Sequence, residues 1–134
     1  MTAPVVSLVS APPRAELHIH RESTLNALNE EVLSALSSEL QQLQVSFETN
    51  RSDACPRVLI VRSDGEKAFV AGADIKLMQA ASPIEFQRYV VLGQRVMRQI
   101  ELLPIPVICR AQGFALGGGM ELALACDFIV ASDS

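Results

Sequence analysis

The chain has 134 residues, which is enough for one modest domain. Its formal net charge of −4 gives no bulk electrostatic case for nucleic-acid binding. Hydrophobic residues make up 49% of the chain, so we expect further chain or other subunits to cover part of its apolar surface.

The first twenty residues predict two strands. Residues 5–9 are apolar and predict an edge strand, which Ala11-Pro12-Pro13 then breaks. Apolar and polar residues alternate over 14–20, which predicts a half-exposed strand with His18 and His20 on its polar face. Two histidines could bind a metal ion, but no cluster of cysteines or acids accompanies them, so we expect a solvated face and no metal site.

A helix and a buried strand are predicted next. Asn26 or Asn29 can cap the helix, and leucines recur at helical spacing along one of its faces: Leu33, Leu36, Leu40 and Leu43. The polar residues 48–56 predict a loop. The uninterrupted apolar run 58–61 is typical of a parallel strand buried on both faces.

The segment 67–78 has the pattern of an apolar strand, a turn of small residues and a short helix. Asp74 can cap this helix. The amide of Ala73 lies just before the cap, where it is free to point at a ligand.

A long helix and two further strands complete the predicted elements. Residues 82–85 have the spacing of a capping box with proline at the first helical position. The helix has one apolar face and ends before Pro104 and Pro106; that face carries Tyr89, Leu92, Val96, Ile100 and Leu103. Strands are predicted over 107–109 and 127–131. Strands that alternate with helices predict an α/β fold with a parallel-rich sheet.

A glycine-rich stretch, Gly117-Gly118-Gly119, precedes a predicted helix over 120–126. Amide groups at a helix N-terminus lack intrahelical partners, and the helix dipole favours negative charge there. An oxyanion hole needs two convergent backbone donors. The glycine turn and the turn at Ala73 could supply one donor each.

Glu121 lies in the first turn of this predicted helix, with Leu122, Leu124 and Phe128 close to it in the sequence. A carboxylate in apolar surroundings beside free amides suits proton transfer next to a stabilised oxyanion. The same stretch also fits a glycine-rich helix start in which the acid interacts with the helix dipole.

Three segments in this order resemble the crotonase superfamily, and most of all enoyl-CoA hydratases: Thr24-Leu25-Asn26-Ala27-Leu28, Ala71-Gly72-Ala73-Asp74-Ile75 and Gly117-Gly118-Gly119-Met120-Glu121-Leu122-Ala123. The resemblance runs from about Arg14 to the last residue. It implies the N-terminal half of a ββα superhelix, truncated before the second catalytic glutamate. We therefore expect a single partial domain over 1–134, with 1–13 as edge strand and break and 14–134 as the ββα core.

The resemblance also implies a site. The amides of Ala73 and Gly118 would hold the thioester oxygen of an acyl-CoA, and Glu121 would match the first of two catalytic glutamates. The second glutamate is expected beyond Ser134. Residues along the substrate path would be Asn26, Ala27, Leu28, Ala71, Gly72, Asp74, Ile75 and Gly117. No metal or redox cofactor is expected, since coenzyme A is part of the substrate.

The implied function is addition of water to the 2,3 double bond of an enoyl-CoA in fatty acid or amino acid degradation. Alternatives are an enoyl-CoA isomerase or acyl-CoA hydrolase on the same scaffold, or an inactive truncated subunit or interaction module. Family members are commonly homo-oligomers, so a trimer or hexamer is expected of the complete protein.

Location in the cell is only loosely indicated. The three cysteines form no disulfide spacing pattern, which fits a reducing compartment. No targeting signal is evident, and no apolar stretch has the roughly 18 residues of a membrane span. The mitochondrial matrix or the cytoplasm is therefore expected.

Overall fold

A computed structural model describes residues 3–49 and 52–133. Both predicted ends of the domain, at residues 1 and 134, lie outside the described residues. So does the middle of the predicted loop 48–56. A short 3-10 turn spans Glu22–Thr24. In chain order the other elements are β1 (Val6–Ala11), β2 (Arg14–Ile19), α1 (Glu30–Thr49), β3 (Val58–Ser63), β4 (Ala68–Val70), α2 (Ile75–Ala80), α3 (Pro83–Glu101), β5 (Val107–Ala111), β6 (Phe114–Ala115), α4 (Gly118–Ala125) and β7 (Phe128–Ala131).

The main sheet has its strands in the order β1-β2-β3-β5-β7. β1 lies at one edge and pairs antiparallel with β2, whereas the other neighbouring strands pair in parallel. The predicted edge strand and the predicted parallel-rich sheet are both confirmed. The carboxyl ends of parallel strands lie at the same edge of a sheet, so the residues that follow β2 and β3 become neighbours.

The core lies between this sheet and the helices α1 and α3. The predicted leucine stripe of α1 is buried, and so are Val96 and Ile100 of α3. From the sheet, Leu17, Leu59 and Val61 are fully buried. Removing one large apolar side chain from water contributes about 1.5–3 kcal/mol, so these side chains are a main source of stability.

The helices begin at predicted caps. Asn29 caps α1, and its Oδ1 accepts a hydrogen bond from the amide of Val32 at 2.9 Å. The predicted capping box of α3 is present, because Ser82 and Glu85 each accept from the other's amide. Hydrogen bonds from Ser82 lower the pKa of the Glu85 carboxyl. Helix α1 extends to Thr49, so the predicted start of the following loop was two residues too early.

A second sheet consists of β4 and β6, which pair in parallel. The sequence did not indicate β6, because two residues are too few for a periodic pattern. Gly119 of α4 approaches β4 so closely that a Cβ on it would overlap the carbonyl oxygen of Val70. Glycine at this position therefore allows the start of α4 to pack directly against the end of β4.

The alternation predicted for β2 is confirmed, with buried residues on one face and His18 and His20 on the other. The expectation that no acid accompanies the histidines is wrong. Asp64 follows the parallel neighbour β3, and its carboxylate lies against both imidazole rings. Burial lowers the pKa of His18, and the adjacent His20 lowers it further. A local sequence pattern does not reveal which residues of separate strands face each other.

The edge strand β7 exposes apolar side chains. Phe128, Ile129 and Val130 retain 61%, 44% and 61% of their accessible surface. The prediction that the chain exposes apolar surface is therefore confirmed at this edge. Among the described residues, no helix combines the length and apolar character that crossing a membrane requires.

Candidate active site

Two turns meet at one cleft. The first turn joins β4 to α2 and contains Ala73, and the second joins β6 to α4 and leads into Gly118. A cleft of about 520 Å³ is lined from both sides, with Leu28, Ala73, Tyr89, Gly118, Glu121 and Leu124 among its residues.

The backbone of Leu28 holds the first turn. Its amide donates to the carbonyl of Gly72 at 2.8 Å, and its carbonyl accepts from the amide of Asp74 at 3.0 Å. Asp74 then caps α2 as predicted, by accepting from the amide of Leu77. Because the residues on either side of Ala73 are both bonded to Leu28, the peptide that carries the Ala73 amide is held in a defined orientation.

The second turn is shaped by glycine. Gly117 has φ 49° and ψ −120°, a conformation that side-chain-bearing residues rarely adopt. The amides of Gly119 and Glu121 donate to the carbonyls of Leu116 and Gly117, at 2.8 Å and 3.0 Å. The N–H groups of Gly119 and Glu121 therefore already have partners inside the protein.

The amides of Ala73 and Gly118 differ from these neighbours. Neither of them donates a hydrogen bond to any residue in the described ranges 3–49 and 52–133. Gly118 is the first residue of α4, where amides lack intrahelical partners, and both Ala73 and Gly118 are half-buried. Two unpaired donors at the wall of one cleft are therefore available to a ligand oxygen.

The two donors also lie close to each other. A Cβ added to Gly118 would lie 4.0 Å from the nitrogen of Ala73 and 3.9 Å from Oε2 of Glu121. Since an amide nitrogen is about 2.5 Å from its own Cβ, the two nitrogens are at most about 6.5 Å apart. Two donors that share one oxygen are separated by up to about 5.8 Å. Glycine at position 118 leaves space between the Ala73 amide, the Glu121 carboxylate and the Leu28 side chain, whose Cδ1 an added Cβ would meet at 3.3 Å.

Glu121 is less enclosed than its sequence neighbours predict. Glu121 is exposed, and Leu124 and Phe128 retain 67% and 61% of their surface, whereas Leu122 is buried in the core. Successive residues of a helix point in different directions, so apolar neighbours in the sequence need not surround the carboxylate. The predicted apolar surroundings of Glu121 are therefore wrong for the described residues.

Tyr89 is a site residue whose role sequence reasoning missed. Its hydroxyl donates to the carbonyl of Leu28 at 2.8 Å, and its ring lines the cleft. Burial raises the pKa of Tyr89, and the charges of Asp74 and Glu121 raise it further, so the hydroxyl remains a donor. The sequence placed this residue only on the apolar face of its helix; the one available signal was that it is the chain's only tyrosine.

Asn26 departs from its predicted place on the substrate path. Its side chain is only 1% exposed, and its Nδ2 donates to the carbonyls of Asp64 and Ala68 at 2.8 Å and 3.0 Å. Its Oδ1 accepts from the amide of Arg21 at 3.0 Å. Both polar atoms of its side chain are thus bonded to backbone groups of Arg21, Asp64 and Ala68, and they are not available to a ligand.

The other predicted substrate-binding residues lie in the two turns or directly beside them. Leu28 lines the cleft, and Asp74 lines a neighbouring pocket of about 260 Å³. Gly72 is buried and has φ 125°. The remaining four are half-buried or exposed: Ala27, Ala71, Ile75 and Gly117.

The family model described as enoyl-CoA hydratase/isomerase matches residues 15–134. The chain belongs to the enoyl-CoA hydratase/isomerase family. The chain is 41% identical over 120 residues to a crotonyl-CoA hydratase of Syntrophomonas wolfei, an alignment that covers 90% of the chain and 44% of that protein. It is 39% identical over 120 residues to a short-chain-enoyl-CoA hydratase of Clostridium acetobutylicum, with 90% and 43% covered.

Solved structures give the same family. A crystal structure of an enoyl-CoA hydratase from Bacillus anthracis superposes with a TM-score of 0.86 at 35% identity, covering 97% of this chain and 48% of that one. The predicted crotonase-like α/β fold of this chain is thereby confirmed. The chain spans less than half the length of the hydratases named above.

Relatives in the family differ in where they reside. A Bos taurus relative, 42% identical over 120 residues with 90% of this chain and 38% of that protein covered, is named enoyl-CoA hydratase domain-containing protein 2, mitochondrial. The two hydratases described above come from bacteria. Membership of the enoyl-CoA hydratase/isomerase family therefore leaves both predicted compartments open.

Proposed function

We propose that this chain supplies the oxyanion hole and one catalytic carboxylate of an enzyme that hydrates the 2,3 double bond of an enoyl-CoA thioester. One observation carries the proposal: the amides of Ala73 and Gly118 have no partner among the described residues, and both residues line one cleft together with Glu121. Family membership and the names of the relatives support the choice of substrate.

The thioester carbonyl oxygen accepts hydrogen bonds from both amides. When water adds at C3, negative charge moves onto this oxygen as an enolate forms, and both donors strengthen their bonds. Removing one such donor typically costs about 3 kcal/mol of transition-state stabilisation. The N-terminus of α4 begins at Gly118 and adds a favourable dipole.

Glu121 receives or holds the proton of the attacking water. Hydration forms a C3–O bond and a C2–H bond, so two proton transfers must be managed. The chain spans 44% of the crotonyl-CoA hydratase, and it contributes one of the carboxylates that share this work. The exposure of Glu121 is consistent with a second group, outside the described residues, facing it in the working enzyme.

We extend the proposal to cofactors and assembly. The reaction requires no metal or redox cofactor, because the two amides polarise the carbonyl and carboxylates move the protons. The acyl-CoA is the small-molecule partner, and a homo-oligomer covers apolar surface such as that of Phe128 and Val130. The working enzyme resides in the mitochondrial matrix or the cytoplasm.

Turnover of crotonyl-CoA, followed by loss of the enoyl thioester absorbance, tests the role of Glu121. Glu121→Gln should abolish hydration while leaving binding of the CoA ester nearly unchanged. Glu31→Gln is a matched control, since Glu31 is also an exposed acid in the first turn of a helix but lies outside the cleft. Equal turnover by the native chain and Glu121→Gln would remove this residue from the mechanism.

The non-enzymatic alternative makes a different prediction in the same assay. If the chain is an inactive subunit or interaction module, it leaves the absorbance of crotonyl-CoA unchanged. Robust turnover by the native chain would contradict that alternative, and the absence of both turnover and saturable binding of the ester would contradict the proposal.

A further inference from the structure

We propose that His18, His20 and Asp64 form a binding site for one divalent first-row transition-metal cation, of which Zn²⁺ is the best-fitting example. This site is separate from the proposed hydratase chemistry, because none of the three residues lines the cleft that contains Ala73 and Gly118. The metal site is therefore independent of the enoyl-CoA assignment.

The sheet brings the three side chains together. His18 lies on the polar face of β2, His20 directly follows that strand, and Asp64 directly follows the parallel strand β3. The amide of Asp64 donates to the carbonyl of Ile19 at 3.0 Å, which fixes the end of β3 beside the end of β2. Each ligand position is therefore set by backbone pairing and not by a mobile loop.

The three side chains converge, and an ion bound between them would replace the direct contacts of Asp64 with both rings. His18 Nε2 lies 2.7 Å from Asp64 Oδ1, and His20 Nδ1 lies 2.9 Å from Asp64 Oδ2. One ligand atom from each of the three residues lies within 4.8 Å of the other two. Two imidazoles and one carboxylate are a ligand set that Zn²⁺ and neighbouring first-row cations bind readily.

Each histidine turns one ring nitrogen towards Asp64. His18 Nε2 is buried and lies in ion-pair contact with Asp64, but it meets no partner with the geometry of a hydrogen bond among the described residues. His20 Nε2 lies 2.7 Å from Ser7 Oγ. When that nitrogen carries the ring proton it donates to Ser7, as an outer partner of a metal-bound histidine requires. Nδ1 then carries no proton, and it can exchange its 2.9 Å contact with Asp64 Oδ2 for a bond to the ion.

The charge of the three side chains and their exposure to solvent also fit a bound cation. Asp64 brings one negative charge, and the nearby Arg62 guanidinium is engaged by Glu16 at 3.2 Å. The side chains of His18, His20 and Asp64 retain 19%, 29% and 38% of their accessible surface, so an ion can enter from solvent and keep a water ligand. Such an ion would join β2 to β3 and, through Ser7, to β1.

Calorimetric titration of the 134-residue chain with Zn²⁺ tests the site. We expect one equivalent to bind, and His18→Gln, His20→Gln and Asp64→Asn each to weaken binding by at least tenfold. Glu66→Gln is the matched control for Asp64→Asn, because it removes an exposed carboxylate two residues away and should leave affinity unchanged. Absence of stoichiometric binding, or equal binding by the three site variants, would overturn the proposal.

X-ray absorption of the Zn²⁺-loaded native chain tests the same site without any substitution. We expect a shell of nitrogen and oxygen at about 2.0–2.1 Å with scattering from two imidazoles. A shell dominated by sulfur at about 2.3 Å would instead place the ion on the cysteines and contradict the proposal. The chain has only two histidines, so an imidazole signal has one origin.

Discussion

The two sides of the cleft are built in different ways. On the Ala73 side, the backbone of Leu28 bonds to the turn, and the hydroxyl of Tyr89 bonds to Leu28. The buried side chain of Asn26 bonds to the carbonyls of Asp64 and of Ala68 at the start of β4. On the opposite side Glu121 is exposed, and the neighbouring strand β7 presents apolar side chains to solvent. The donors of the proposed oxyanion hole are thus preorganised within this chain, whereas the surroundings of the carboxylate depend on further cover.

The largest loss of stability is expected where α4 packs against β4. Gly119→Ala places a Cβ onto the carbonyl oxygen of Val70, so α4 must shift away from β4. We expect a loss of about 3 kcal/mol or more in the free energy of unfolding, because backbone cannot yield as a flexible side chain can. Denaturant unfolding of the two chains measures this difference.

Gly93→Ala is the control for that substitution. Gly93 lies within α3, where an added Cβ meets only Leu33 at an ordinary 3.9 Å. We expect this change to stabilise the chain by roughly 0.5–1 kcal/mol, since alanine favours a helix interior. If Gly119→Ala were as well tolerated as Gly93→Ala, the close packing of α4 on β4 would be disproved.

Asn26→Ala tests the structural role of this residue on the preorganised side. It removes three hydrogen bonds to backbone and leaves their partners unsatisfied, so we expect a loss of about 2–3 kcal/mol. Asn29→Ala removes a single helix cap and should cost about 1 kcal/mol. Thermal unfolding measures both, and an equal cost would show that Asn26 is less important than its contacts indicate.

Tyr89→Phe is expected to have a smaller effect. It removes one hydrogen bond to Leu28, which should cost about 1 kcal/mol of stability. Because the Leu28 carbonyl also accepts from Asp74, exchange of the Asp74 amide with deuterium should accelerate more than exchange of the Asp127 amide, which bonds to Val107. Uniform acceleration of both amides would indicate global destabilisation and not loosening of the turn.

Substitutions in the exposed strand β7 are expected to change the free energy of unfolding least. Phe128→Thr combined with Val130→Thr changes two exposed residues of β7, so we expect a change within about 0.5 kcal/mol. Self-association measured by light scattering should nevertheless fall, whereas Val9→Thr on the opposite edge strand should leave it nearly unchanged. A native chain that is already monodisperse and monomeric would contradict the idea that β7 needs cover.

Much of the architecture could be predicted from local patterns. The leucine stripe of α1 and the capping box of α3 each follow from a spacing that one element requires. The apolar run 58–61 correctly predicted the parallel strand β3, but burial on both faces was wrong for the described residues, because one face is buried and the other is half-buried. The two small-residue turns were also visible, because glycine and alanine mark places where backbone must approach backbone or ligand.

What could not be predicted depends on contacts between distant segments. The pairing of His18 with Asp64 follows from the register of β2 against β3, and the hydroxyl bond of Tyr89 reaches a carbonyl 61 residues away. The exposure of Glu121 was missed for the same reason, since neighbours in the sequence do not tell which surfaces a helix is packed against. Two residues were likewise too few to reveal β6.

Polarisation of a bound thioester tests the central claim most directly. The carbonyl stretch of an enoyl-CoA bound to the native chain should fall in frequency, because the Ala73 and Gly118 amides both donate to its oxygen. Gly118→Pro removes one donor and should largely abolish the shift. Gly118→Ala is the matched control, because it keeps the amide and its added methyl group meets the Ala73 nitrogen only at an ordinary 4.0 Å. A shift of the same size in the native chain and in Gly118→Pro, or none in the native chain, would contradict the proposed oxyanion hole.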